Sequence, residues 1–112
     1  RVISFQKASN NILYTEFKDI CEKEYSAYDY IQITLKFKWI LIDKVPIMNK
    51  EYRNEVRRFI MLIDVMYENK IGLGLVAQDK PMNLCVAKEY KEVFKRTSSR
   101  IEEMRHLNWL KK

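Results

Sequence analysis

A chain of 112 residues, 47% apolar and 32% charged, is long enough to bury a modest core and too hydrophobic for intrinsic disorder. Its 21 Lys and Arg against 15 Asp and Glu give a net charge of +6, and residues 86–112 hold eight of the basic side chains against four acidic ones. No apolar run approaches the ~20 residues that a membrane-spanning helix needs, so no membrane span is expected.

Two short apolar runs, 2–5 and 12–14, flank Lys7-Ala8-Ser9-Asn10-Asn11, a polar turn signal, and predict an N-terminal hairpin. Ser26 is suited to cap a helix over about 27–36, with Ala27, Ile31, Thr34 and Leu35 on one face. Asp29 then sits as an anion at the positive end of that helix, beside Tyr30 as a core aromatic whose hydroxyl finds a partner. Trp39-Ile40-Leu41-Ile42 predicts a buried strand over about 38–44, ended by Pro46, which has no N–H for a ladder. Asn49 opens a helix over about 50–68, where Tyr52, Val56, Phe59, Ile60, Ile63, Met66 and Tyr67 recur in steps of three and four. Met61, Leu62 and Val65 widen that face towards a second neighbour.

Residues 71–77 lack polar alternation and predict a strand over about 70–77, covered on both faces. Strand, helix and strand together predict a right-handed parallel βαβ core, so the fold class is α/β. Gln78-Asp79-Lys80-Pro81 breaks the chain, and residues 82–86 form a short helical or irregular bridge. Tyr90, Val93, Phe94, Thr97, Ile101 and Met104 then trace a long C-terminal helix over about 88–108. In this arrangement Phe59, Ile63 and Phe94 are buried between the central strands and the last helix. Asp43, Gln78 and Asp79 share the carboxyl edge of the sheet.

Certain strings go beyond periodicity. Val45-Pro46 and Arg53-Asn54-Glu55-x-Arg57-Arg58-Phe59-Ile60-x-Leu62-Ile63-Asp64-x-x-Tyr67 resemble the C-terminal region of the ZapE-type P-loop ATPases, a bacterial cell-division ATPase and its mitochondrial relatives. Phe17-x-x-Ile20-Cys21 is similar to the family's Phe-x-x-Leu-Cys, and Ser26-Ala27-Tyr28-Asp29-Tyr30 to its Gly-Ala-x-Asp-Tyr, with Ser26 in place of glycine. Phe94-x-Arg96-Thr97-x-Ser99-Arg100-Ile101-x-Glu103-Met104 resembles its closing motif, although the link from Ala77 to Phe94 is shorter than in many members. The resemblance implies a parent that hydrolyses ATP with Mg²⁺ and acts on client proteins, in bacterial cell division or mitochondrial protein quality control. It also implies a cytoplasmic location in bacteria and a mitochondrial one in eukaryotes. The chain opens at Arg1 without Met. It is therefore expected to be one domain or fragment, 1–112, from the C-terminal part of a larger AAA+-like ATPase. Its expected partners are the P-loop half of that parent, client proteins and further copies in a homo-oligomer.

A P-loop site needs a Gly-x-x-x-x-Gly-Lys-Ser/Thr loop and an acidic pair after an apolar strand. The loop does not occur, and after Ile40-Leu41-Ile42-Asp43 a lysine, Lys44, stands where the second carboxylate would be. Asp43 thus marks either a degenerate copy of that strand end or an ordinary parallel-sheet edge. The chain alone is expected to bind no ATP or Mg²⁺ and to be inactive. Within the parent, Arg57 and Arg100 are candidate phosphate-sensing arginines, because a planar, permanently charged guanidinium suits a γ-phosphate. Asp43, Arg58 and Arg96 are candidate cofactor contacts. In the competing reading these arginines pair with Glu55, Asp64, Glu103 or Asp29 and pin helices together, Arg100 having Glu103 or Asp29 as its neighbour.

Cys21 and Cys85 have no ligand spacing and are expected to stay buried as thiols, and His106 is the single histidine, so no metal set is expected. His106 suits a helix C-terminus, and Trp109 and Leu110 suit packing against further sequence or a partner. Two other functions remain open at this level. One is a stand-alone α/β protein-binding module without nucleotide chemistry. The other is a basic nucleic-acid-binding domain, which rests on the charge of the last helix alone and lacks any supporting loop or aromatic motif.

Overall fold

Residues 7–8 and 10–105 are described by the computed structural model. The expected run at 2–5, together with His106, Trp109, Leu110 and the part of the predicted last helix beyond 105, lies outside the described residues. In chain order the elements are β1 (Lys7–Ala8), β2 (Ile12–Glu16), α1 (Phe17–Cys21), α2 (Ala27–Lys36), β3 (Trp39–Val45), α3 (Arg53–Glu68), β4 (Gly72–Ala77) and α4 (Lys91–Met104). Short 3-10 turns, Lys50–Tyr52 and Lys88–Tyr90, precede α3 and α4 and take the first turns of the two predicted helices. A third, Pro81–Asn83, lies within the predicted bridge.

The sheet order is β1-β2-β3-β4. β3 and β4 pair in parallel, as the βαβ reading requires, and β2 also pairs in parallel with β3. The N-terminal hairpin is tighter than the sequence suggested. Lys7 and Ala8, part of the expected turn, are strand residues opposite Tyr14 and Leu13, so the chain reverses between Ala8 and Ile12.

Side chains alternate along each strand. Leu13, Thr15, Ile40, Ile42 and Leu73 are buried and point towards the helices, with the apolar ones in the main core. Ile12, Tyr14, Trp39, Leu41 and Val76 point to the other face, where Tyr14 remains 43% and Val76 64% exposed. The expectation that the last strand is covered on both faces is therefore corrected: β4 is an edge strand, covered by helices on one side only. On the open side neighbouring side chains lie down over its glycines. The Trp39 indole occupies the space a Cβ at Gly72 would need, and Leu41 does the same at Gly74.

α2 begins where predicted. The Ser26 N–H donates to Asp29 Oδ2 at 2.8 Å and the Asp29 N–H donates to Ser26 Oγ at 3.4 Å, a reciprocal cap. Its buried face differs in part from the predicted one. Thr34 and the core aromatic Tyr30 are buried as expected, but Ile33 is buried as well, whereas Ile31 and Leu35 are exposed. The Tyr30 hydroxyl donates to the Ile20 carbonyl at 2.7 Å, and that bond fixes the helix rotation.

α3 lies at the centre of the helical layer. Phe59 packs against Phe17 of α1, with centroids 5.9 Å apart, and stacks on Phe94 of α4 at 6.2 Å and 16°. Phe59 and Ile63 are fully buried and Phe94 nearly so, as expected. Contacts of α3 with α4 and the turn before it keep an offset of 36 positions: Arg53 with Glu89, Asp64 with Arg100, Tyr67 with Glu103. The two helices therefore run parallel, side by side. Truncating Phe59 to Ala removes the ring shared by α1 and α4 and should cost about 3–5 kcal/mol in chemical denaturation. A cost below 1 kcal/mol would show that the core does not close around this ring.

Candidate functional site

The first candidate region is the carboxyl edge of the sheet. Asp43 is exposed and accepts from the Lys44 N–H at 2.8 Å. Lys44 takes a left-handed conformation, φ 56°, at a register break between Ile42 and Val45, and its ammonium lies 3.5 Å from Glu16. Gln78 closes the same edge: its Oε1 accepts from the Ile47 N–H at 2.8 Å, and its own N–H donates to the Val45 carbonyl. Asp79 accepts from the Lys80 N–H and from Asn83, and those bonds hold its carboxyl below the usual carboxylate range. The parallel geometry thus brings Asp43, Gln78 and Asp79 to one edge.

A phosphate at such an edge needs unpaired backbone N–H groups in the turn after the strand. Here most of them are already used. Besides the Lys44 and Ile47 groups, the Met48 N–H donates to the Leu84 carbonyl at 2.6 Å and the Glu51 N–H to Asn49 Oδ1 at 2.9 Å. With those groups engaged and no Gly-rich loop in the chain, the turn does not form the amide cradle that a P-loop gives a nucleoside triphosphate. Among the described residues no group of three or more His, Cys, Asp or Glu is placed to hold a metal ion.

The second region is the seam between α3 and α4. Asp64 accepts from Arg100 Nη1 at 2.8 Å and from Arg96 Nη2 at 3.2 Å. The Arg100 guanidinium also lies over the Tyr67 ring, 4.4 Å from its centroid, and the Tyr67 hydroxyl donates to Glu103 at 2.9 Å. Asp64 was one of four acids open to these arginines. The narrower expectation, Glu103 or Asp29 for Arg100, is corrected: Glu103 accepts from Tyr67 and Asp29 accepts from Ser26. Tyr67 is expected from its spacing on an apolar face and belongs to the family motif, but nothing in the local sequence signals its contact with Arg100.

Arg58 and Arg57 diverge. Arg58 is largely buried, donates to the Cys21 carbonyl at 3.1 Å and lies 3.9 Å from Glu55. Arg57 is exposed and, among the described residues, its side chain has neither ion pair nor hydrogen bond. The candidates therefore do not converge: Arg96 and Arg100 share one acid, Arg58 anchors α1, Asp43 lies at the strand end, and Arg57 alone points into solvent unengaged.

Two predictions follow from these contacts. Replacing Asp64 with Asn removes the charge shared by two guanidinium groups and should lower stability by about 1–2 kcal/mol, more than Arg96→Ala, whose side chain is mostly exposed; urea midpoints compare them. Burial raises the Cys21 thiol and, with the neighbouring thiol, the Tyr30 phenol well above their usual values. The folded groups hold their protons more tightly than the unfolded ones. Their contribution is fully present below the unfolded values and is lost as pH rises past about 9. Unfolding at pH 7 and pH 10 should show lower stability at pH 10, and the loss should shrink in Cys21→Ser.

Comparison with known proteins shows a match to the AFG1-like ATPase family over residues 1–112. The chain is 30% identical to the cell division protein ZapE of Escherichia coli K12 over all 112 residues, which span 30% of that protein. It is 29% identical over 83 residues, 74% of the chain, to lactation elevated protein 1 homolog B of Danio rerio, of which they span 16%. No solved structure matches. With the whole length matched and the motif residues Arg57, Arg58, Asp64, Arg96 and Arg100 set along one pair of helices, the chain belongs to the AFG1-like ATPase family.

Proposed function

We propose that this chain is the C-terminal segment of a ZapE-like ATPase, supporting ATP hydrolysis by the parent and its interaction with client proteins. The observation that carries this reading is the family match across the whole chain, in a sequence without a P-loop string. ATP and Mg²⁺ then belong to a P-loop half of the same polypeptide, outside these residues. The name of the Escherichia coli relative supports a role in cell division.

In this reading Arg57 reaches the nucleotide held by the P-loop half, because it is the motif arginine left exposed and unengaged. Arg100, Arg96 and Arg58 keep the helices in register so that Arg57 is presented correctly. Asp43 lies at the strand end nearest the start of α3. No helix among the described residues is long and apolar enough to cross a membrane.

The test uses the full parent. Arg57→Lys keeps the charge and loses the planar fork. Turnover should fall by roughly 10³-fold or more, the scale of a supplied arginine, at an unchanged melting temperature. Arg58→Lys should do the reverse, lowering the melting temperature while the folded fraction keeps its turnover. Full turnover in Arg57→Lys would remove the catalytic role.

A further inference from the structure

Among the described residues, β4 is an edge strand without the usual protection. Natural edges are blunted by charges, prolines or shortness, since a bare row of N–H and C=O groups pairs with any available chain. The opposite edge meets that rule among the described residues: β1 is two residues long. Residues 71–77 contain no charge and no proline.

The direction of the free groups can be read from the ladder. The Gly72 N–H donates to the Lys38 carbonyl, and the Gln78 N–H to the Val45 carbonyl. Alternation between those two points directs the amides of Leu73 and Leu75 away from β3, to the free edge. Beside that edge runs a groove of about 740 Å³ between the strand and α4. Leu75 and Ala77 line it on the strand side, Ser98 and Ser99 on the helix side, and Met82, 72% exposed, stands at its mouth. A ladder edge unpaired among the described residues, next to a groove, is the geometry of strand addition.

We propose that the free edge of β4 takes an extended strand from another part of the longer polypeptide, its alternate side chains seated in the groove under α4. The inference rests on the reading of the chain as a segment of a ZapE-like parent. A covalently linked occupant is favoured over a transient peptide or a second copy. An uncharged edge left bare between encounters would aggregate, whereas a linked strand is held at high effective concentration. The chain spans only 30% of its Escherichia coli relative, so polypeptide for such a strand is at hand. Small Ser98 and Ser99 opposite Leu75 suit medium aliphatic side chains, and mixed charges nearby, Asp79 with Lys80 and Glu102 with Arg105, favour an uncharged segment.

Residue-resolved amide exchange on the full parent tests this. The Leu75 amide should exchange within about tenfold of the Gly74 amide, which is bonded to β3. In a parent carrying Ser99→Trp, which fills the groove from an exposed position, Leu75 exchange should accelerate at least 100-fold while Gly74 stays slow. A fast Leu75 amide in the unmodified parent overturns the proposal, as does a slow one that survives Ser99→Trp. ATP turnover is read separately. A parent that hydrolyses ATP with a fast Leu75 amide keeps the functional reading and loses this one. A parent with a protected, groove-sensitive Leu75 and no turnover does the opposite.

Discussion

Handedness constrains everything else in this structure. The connections from β2 to β3 and from β3 to β4 step in the same direction across the sheet. Two right-handed crossovers in one direction put their helices on the same side. α1 and α2 fill the first crossover and α3 the second, and α4 comes to lie beside α3. The core is therefore one layer between sheet and helices, with α3 in its middle. Phe59 occupies the point where three helices and the sheet meet, so aromatic contacts converge there. The same constraint bares the other face of the sheet, where Tyr14 and Val76 remain in solvent.

The parallel run of α3 and α4 gives the motif arginines their surroundings. Two helices side by side with a fixed offset bring residues 36 apart into contact along their length, and Asp64 is placed to serve two guanidinium groups at once. Pairs of this kind add little individually at a surface. A shared carboxylate with a ring beneath one cation is a different case, because the partners restrict each other's rotamers. Such an arrangement sets the register between helices, and through it the direction in which the neighbouring Arg57 points.

Much of the core was legible in the sequence because its signals are local. The steps of three and four from Val56 to Met66, the apolar run at 39–42 and the pairing of Ser26 with Asp29 each dictate structure within a few residues. The rotation of α2 was legible only in part: Tyr30 and Thr34 are buried as expected, but Ala27, Ile31 and Leu35 form as regular an apolar stripe as Tyr30 and Ile33. The choice is made by the distant Ile20 carbonyl and by Asn69, which donates to Thr34 at 2.9 Å. The parallel partnership of β2 was hidden because its crossover consists of two short helices with a bend between them. In the candidate site, residue types could be named but not partners. Whether an arginine finds Asp64, a carbonyl or nothing depends on which helices become neighbours.

The glycines of β4 show how a strand can be shaped by what its neighbour lacks room for. Trp39 lies flat because position 72 has no side chain, and Leu41 settles into the corresponding space at 74. Each pair behaves as one unit of shape, a socket and the side chain that fills it. Substitution at either member is judged against the other: a larger residue at 72 becomes acceptable only after the indole at 39 has been lost, and losing the indole first leaves the backbone there uncovered. Across related chains the two positions should therefore drift together, and grafting one of these strands into another sheet requires carrying its partner with it.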